Sequence, residues 1–299
     1  MRYLLLMIVL LGMTLKADMA SLFHLETYDK DNPAVLGELS SGKKLFVDGS
    51  YELFSEDIDG ITNKEKTLGL AQARAYIIGS EVVYSVTALT TLVGEQRDPR
   101  VGNPIDISKT GYGGSLSMKY LDIPMGISYD YQTFESIGFS EISQKLMYGL
   151  QYDLQSATLG VIAGFDLLSN TYLVEGNQLF LGVSYSKDVS GTPTEVSVVY
   201  KPETYTIGSG ALSSNYQKEY LGLNLIFEKA IGEYDWLVNI DYIEEKSYKS
   251  AIASKSLQGV TLTRLDDKYS FFFKYQISSQ ANIEDTSMII GVTIGGLLD

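Results

Sequence analysis

The chain contains no cysteine, which excludes disulfides, a lipid-modified cysteine and thiolate metal sites. It contains a single histidine, His24, in "SLFHLETYD", ahead of every strand pattern. Surface hydrolases and acyltransferases generally place a histidine base beside a serine or aspartate. His24 has no such neighbour on a strand, so it reads as a tail or plug residue, and no enzyme activity, cofactor or metal centre is expected. Positive charge is also scarce: 23 Lys and Arg stand against 37 Asp and Glu, a net charge of −14, which argues against a nucleic-acid partner. The acidic clusters "SEDIDG" (55–60) and "IEDT" (283–286) lack the ligand spacing of a calcium loop and read as solvated loops.

Long apolar runs are missing as well. The longest, Tyr3 to Leu15, falls short of the ~18 residues of a membrane helix. Arg2 precedes it and Leu15-Lys16-Ala17 follows, the layout of a secretory signal over residues 1–17.

What the chain does have is a period of two, sustained from Lys44 to the end. "LFVDGSYEL" sets Leu45, Val47, Tyr51 and Leu53 on one face against Lys44, Asp48, Ser50 and Glu52. "MGISYDYQT" and "KLMYGLQYDL" repeat the pattern, as do "LFLGVSYS", "YLGLNLIFE", "DWLVNIDY" and "YSFFFKYQI". Such alternation marks strands with one apolar and one polar face. Short links near 79–80, 122–124, 155–157, 189–193, 230–232 and 266–267 alternate with longer polar stretches near 55–66, 95–111, 136–142, 170–176, 207–215, 247–255 and 279–285. The result is about 14 strands of ~9–14 residues, the plan of a bacterial outer-membrane barrel.

The expected fold is therefore all-β: a transmembrane antiparallel up-and-down β-barrel over residues 44–299, with a short N-terminal plug segment over residues 18–43. A soluble lipocalin-like barrel also alternates, but its filled interior suits about eight strands. Both termini are expected on the periplasmic side of a Gram-negative outer membrane. The outer wall would meet lipid and lipopolysaccharide, and the barrel-assembly machinery would insert it. Tyr51, Tyr84, Tyr120, Tyr148, Tyr200, Tyr242 and Tyr269 are placed to form aromatic girdles.

Parity then assigns the lumen. In "LAQARAYII" either alanines or Gln72, Arg74 and Tyr76 face out. A lipid-facing Arg at mid-membrane costs ~2–4 kcal/mol, so Arg74 belongs inside. The same reasoning puts Asp48, Glu52, Asp130, Asp153, Asp166, Glu228 and Asp241 inside, with Lys44, Lys119, Lys145, Lys201 and Lys274. Near balance of sign suggests ion pairs across the lumen or weak ion selectivity. Phe46, Leu89, Ile162, Phe180, Ile226, Phe272 and Ile289 share the inner face, where they would pack on a plug or line a path for an apolar solute.

Between the signal and the first strand lies "DNPAVLGEL" (31–39). Asn32 and Pro33 form a helix-start pair. Ala34, Val35, Leu36 and Leu39 make one apolar turn too short to stand alone. "NPA" followed by "VLGELSSGKKLFVDGSY" resembles the amino-terminal hatch of the FadL/TodX-type transporters. That resemblance implies a 14-stranded barrel carrying hydrophobic compounds through a hatch and a lateral wall opening, with Asn32, Pro33 and Ala34 in the plug, beside Leu36 and Leu39. The expected function is passage of small hydrophobic or amphipathic compounds. A general diffusion porin and a sealed structural or adhesive barrel remain the alternatives.

Overall fold

In the computed structural model, the residues described are Ala34 and 42–98, 102–154, 157–171, 174–207, 214–248, 255–264 and 269–294. They build fourteen strands: β1 (Gly42–Ile58), β2 (Ile61–Ile78), β3 (Val82–Arg97), β4 (Ile105–Tyr120), β5 (Ile123–Ser136), β6 (Phe139–Leu154), β7 (Ala157–Asn170), β8 (Val174–Val189), β9 (Thr192–Ile207), β10 (Ser214–Ile231), β11 (Tyr234–Tyr248), β12 (Lys255–Arg264), β13 (Tyr269–Gln280) and β14 (Ile283–Ile294). Each pairs antiparallel with its chain neighbours, and β14 closes on β1 from Val47↔Ile294 to Ile58↔Ile283. Closure removes both sheet edges, so every strand finds its ladder partners inside the wall.

The side-chain period is two, so register decides which face meets which medium. On β1, Val47, Tyr51 and Leu53 are exposed while Phe46, Asp48, Glu52 and Glu56 are buried. Around the barrel the exposed positions are apolar: Val86 on β3, Tyr112 on β4, Leu150 on β6, Leu181 on β8, Ile240 on β11 and Ile290 on β14. A soluble barrel would show the reverse, and this wall suits a hydrocarbon surround. Tyr51, Tyr84, Tyr120, Tyr148, Tyr200 and Tyr242 all lie on this outer face. The side chain of Tyr269 is outside the described residues.

Strands run from 10 residues in β12 to 18 in β2, longer than the alternation implied. The stretches 55–66, 136–142 and 279–285, expected as long loops, are mostly strand, joined by tight turns at Asp59-Gly60, Ile137-Gly138 and Ala281-Asn282. The ladder outlasts the apolar band because backbone pairing continues where side chains turn polar. Asp59 (φ 54°) and Gly60 (φ 76°) both sit in the left-handed region, the twist that a two-residue hairpin between right-twisted strands requires.

Candidate functional site

The inner wall is built from paired charges. The β1–β2 register sets Phe46 opposite Arg74 and Asp48 opposite Gln72. The Arg74 Nε donates to Asp48 Oδ2 at 3.2 Å, and the Thr293 hydroxyl donates to Asp48 Oδ1 at 2.7 Å. Arg74 is 1% exposed, held against Tyr76 Oη and above the Phe46 ring. Farther along, Lys274 reaches Asp241 at 3.6 Å, past Gly259 on the strand between, and Asn224 donates to the same carboxylate. Lys201 meets Asp166 at 3.9 Å, Lys218 meets Glu245 at 2.9 Å, and Lys255 meets Asp285 at 2.5 Å.

These pairs correct one expectation. None of those described bridges the lumen; each joins neighbouring or next-but-one strands of the same wall. Strands stand ~4.8 Å apart, so a lysine spans one intervening strand far more readily than a barrel diameter. Among the described residues, no cluster of three His, Asp or Glu side chains is arranged to hold a metal ion.

The structure places the remaining predicted residues unevenly. Asp130 and Lys145 are half-buried on the inner face, and the Lys145 ammonium stands 5.3 Å from the Phe180 ring. Phe180 and Phe272 are buried, lying flat where Gly164 and Gly291 offer no side chain; a Cβ at either glycine would overlap the ring. Ile289 packs beside Phe272. Lys119, Asp153 and Glu228 share the inward parity but are exposed at the short-turn rim. The side chain of Lys44 lies outside the described residues, as do Asn32, Pro33, Leu36 and Leu39. Ala34 is fully buried, and its carbonyl accepts a hydrogen bond of 3.2 Å from the Ser117 hydroxyl on β4.

Sequence reasoning missed the upper storey of this wall. Glu56, Lys64, Lys109, Glu141, Glu245, Lys255 and Asp285 are all buried, although "SEDIDG" and "IEDT" read as solvated loops. Glu56 accepts from Asn63 Nδ2 at 2.5 Å. The signal was present: Glu56 continues the parity of Asp48 and Glu52, and Asp285 that of Ile289.

Among the described residues the register slips in two places: at the β1–β2 end, between Glu56↔Lys64 and Asp57↔Thr62, and along β3, which forms an irregular seam. Opposite β2, the register of β3 slips between Gly69↔Val93 and Leu70↔Thr91, leaving Leu92 as an extra residue. Opposite β4, pairing stops at Thr90↔Thr110 and resumes at Glu95↔Asp106. A β-bulge in β3 therefore opens the ladder on one side and kinks the strand. In the gap the Thr91 hydroxyl substitutes for a ladder partner, accepting from the Lys109 amide at 2.6 Å and donating to its carbonyl at 2.8 Å. Behind the seam lie the buried side chains Leu68, Leu70, Leu89 and Ile107, with Phe134 against them. In front of it Leu92 and Val93 are 67% and 55% exposed. Toward the short-turn end, Leu89 also borders a cleft lined by Gln72, Ser85, Ser115, Ser128 and Asp130.

A closed antiparallel barrel with an apolar outer wall, a charged inner wall and fourteen strands defines an outer-membrane β-barrel. The fold is shared with "CymD monoaromatic hydrocarbon channel" (TM-score 0.58, 10% identity, 91% of this chain and 92% of that one). It is shared equally with a Pseudomonas aeruginosa FadL homologue (TM-score 0.58, 9% identity, 90% and 93%). The Pseudomonas putida toluene transporter TodX matches at a TM-score of 0.52, with 10% identity over 91% and 93%. No family profile and no curated relative matches the chain.

Proposed function

We propose that this chain is an outer-membrane channel for small hydrophobic or amphipathic compounds, with residues 18–43 as a hatch and the β3–β4 seam as a sideways exit toward the lipid. The observation that carries this reading is the broken ladder at residues 91–94. It is the place where an apolar patch of the inner wall, Leu68, Leu70, Leu89 and Ile107, stands directly behind exposed apolar residues of the outer wall. Elsewhere a solute leaving sideways would have to break strand hydrogen bonds that hydrocarbon cannot replace.

The adjoining cleft adds hydroxyl and carboxyl groups beside that patch, and the Ser128 hydroxyl has no hydrogen-bond partner among the described residues. A solute with one polar end would find both halves of its surface matched. The solved neighbours named as monoaromatic hydrocarbon channels lend the same reading support. Both termini belong on the periplasmic side, with the rim of Lys119, Asp153 and Glu228.

Deleting Leu92 tests the exit, because it restores regular pairing of β3 with both neighbours. Uptake of a labelled aromatic hydrocarbon into cells making the variant should fall to the level of cells lacking the protein. The variant should keep the heat-modifiable gel mobility of a closed barrel. Undiminished uptake by a folded variant would refute the lateral route.

A further inference from the structure

At the short-turn end, the outward-facing charges of the described strand residues are all cations, whereas at the far end Lys246 is paired with Glu244 and Arg97 stands opposite Glu65. Register aligns Lys229 of β10 with Trp236 of β11, Trp236 with Arg264 of β12, and Arg264 with Phe271 of β13. All four share the outward parity of Leu223, Ile240, Val260 and Phe273, at the short-turn end of the barrel. The Arg264 guanidinium stacks 3.5 Å from the centre of the Tyr234 ring, which holds the charge against the wall and lessens its desolvation. Lys187 of β8 is exposed on the same face, two strands away from Lys229. The Trp236 indole N–H has no acceptor among the described residues.

No outward-facing strand carboxylate accompanies these cations among the described residues at that end. The opposite outer rim is mainly acidic, with Glu65, Glu95, Asp106 and Glu135 exposed there beside Arg97 and Lys246. In a chain of net charge −14, a basic, aromatic stripe over β8–β12 stands apart. Tryptophan and tyrosine favour the headgroup level, and basic side chains there meet anionic lipid phosphates. Lys and Arg are tolerated on a lipid-facing wall at this depth and disfavoured at its middle.

We infer that Lys187, Lys229 and Arg264, with Trp236 and Tyr234, form a binding surface for an anionic glycerophospholipid of the periplasmic leaflet. The inference rests on the membrane orientation proposed above. Lys229 and Arg264, on either side of Trp236, bind one phosphodiester, Lys187 meets a neighbouring headgroup along the stripe, and Trp236 and Phe271 pack on the glycerol and upper acyl region. Each cation contributes about fivefold to the local preference for an anionic lipid at low salt, and the preference weakens as salt rises.

The chain contains one tryptophan, so emission excited selectively at tryptophan, beyond the tyrosine absorption, reports from this stripe alone. Full-length protein would be reconstituted in phosphatidylcholine vesicles holding a minor fraction of acyl-brominated phosphatidylglycerol, or the same fraction of brominated phosphatidylcholine. Quenching by the brominated phosphatidylglycerol should exceed that by brominated phosphatidylcholine several-fold, and 0.5 M salt should shrink the excess. K229Q/R264Q should abolish it, with barrel closure checked by heat-modifiable mobility. If that variant fails to close, K187Q and the salt series on the wild type carry the test. Equal quenching by the two lipids overturns the inference and leaves the channel reading standing. No quenching by either removes Trp236 from the lipid face, and the membrane reading falls with it.

Discussion

At the residue scale the buried ions decide most. Arg74 and Asp48 are both nearly inaccessible and directly bonded. Removing one member leaves the other charged in a site that water barely reaches, which costs more than the pair contributes. Arg74→Met should therefore lower unfolding stability by about 3–5 kcal/mol. Adding Asp48→Leu should restore a large part of that loss, and urea unfolding in a double-mutant cycle measures both. The inward position of Arg74 was legible beforehand, because the cost of an arginine in lipid outweighs any other term in that strand. Its bond to Asp48 was not. Pairing depends on the β1–β2 register, which no local pattern specifies.

Elements show where local pattern and backbone geometry part company. β4 and β5 are joined by Leu121 (φ 49°) and Asp122 (φ 63°), so the hairpin twist is imposed on a leucine that pays a steric penalty for it. Leu121→Gly should raise stability by up to about 1 kcal/mol, the relief of a left-handed backbone less the entropy of a glycine. A shift in the urea midpoint without change in slope would show it. The short-turn ends were readable from Gly, Pro and Asp punctuation. The far ends were misread, since Glu56, Glu141 and Asp285 look like loop residues until the partner strand puts them inside. The bulge at Leu92 left no mark in the alternation either, because an extra residue between two apolar positions still reads as apolar sequence.

For the whole molecule the open question is the lumen. The Ala34 carbonyl accepts a hydrogen bond from Ser117 near the short-turn end of β4, a described contact of the hatch proposed above. Deleting residues 18–41, which ends just before β1, should raise single-channel conductance in planar bilayers well above that of the full chain. Unchanged conductance would remove the hatch from the account and favour a lumen closed by the wall's own side chains. The described ion pairs line the wall at β1–β2, β7–β9 and β10–β14 without spanning the lumen, so the proposed hatch predicts a large steady conductance only once it is removed.

Alternation of apolar and polar residues is written into neighbouring positions, and it alone sufficed for the two-faced strands, their number and the side each face turns toward lipid. Closure, register and the slip in β3 arise between segments far apart in the chain, where hydrogen-bond geometry chooses among alignments that look equivalent locally. That is why the tertiary structure alone revealed the seam, the same-wall ion pairs and the basic stripe, each a product of which strand lies beside which.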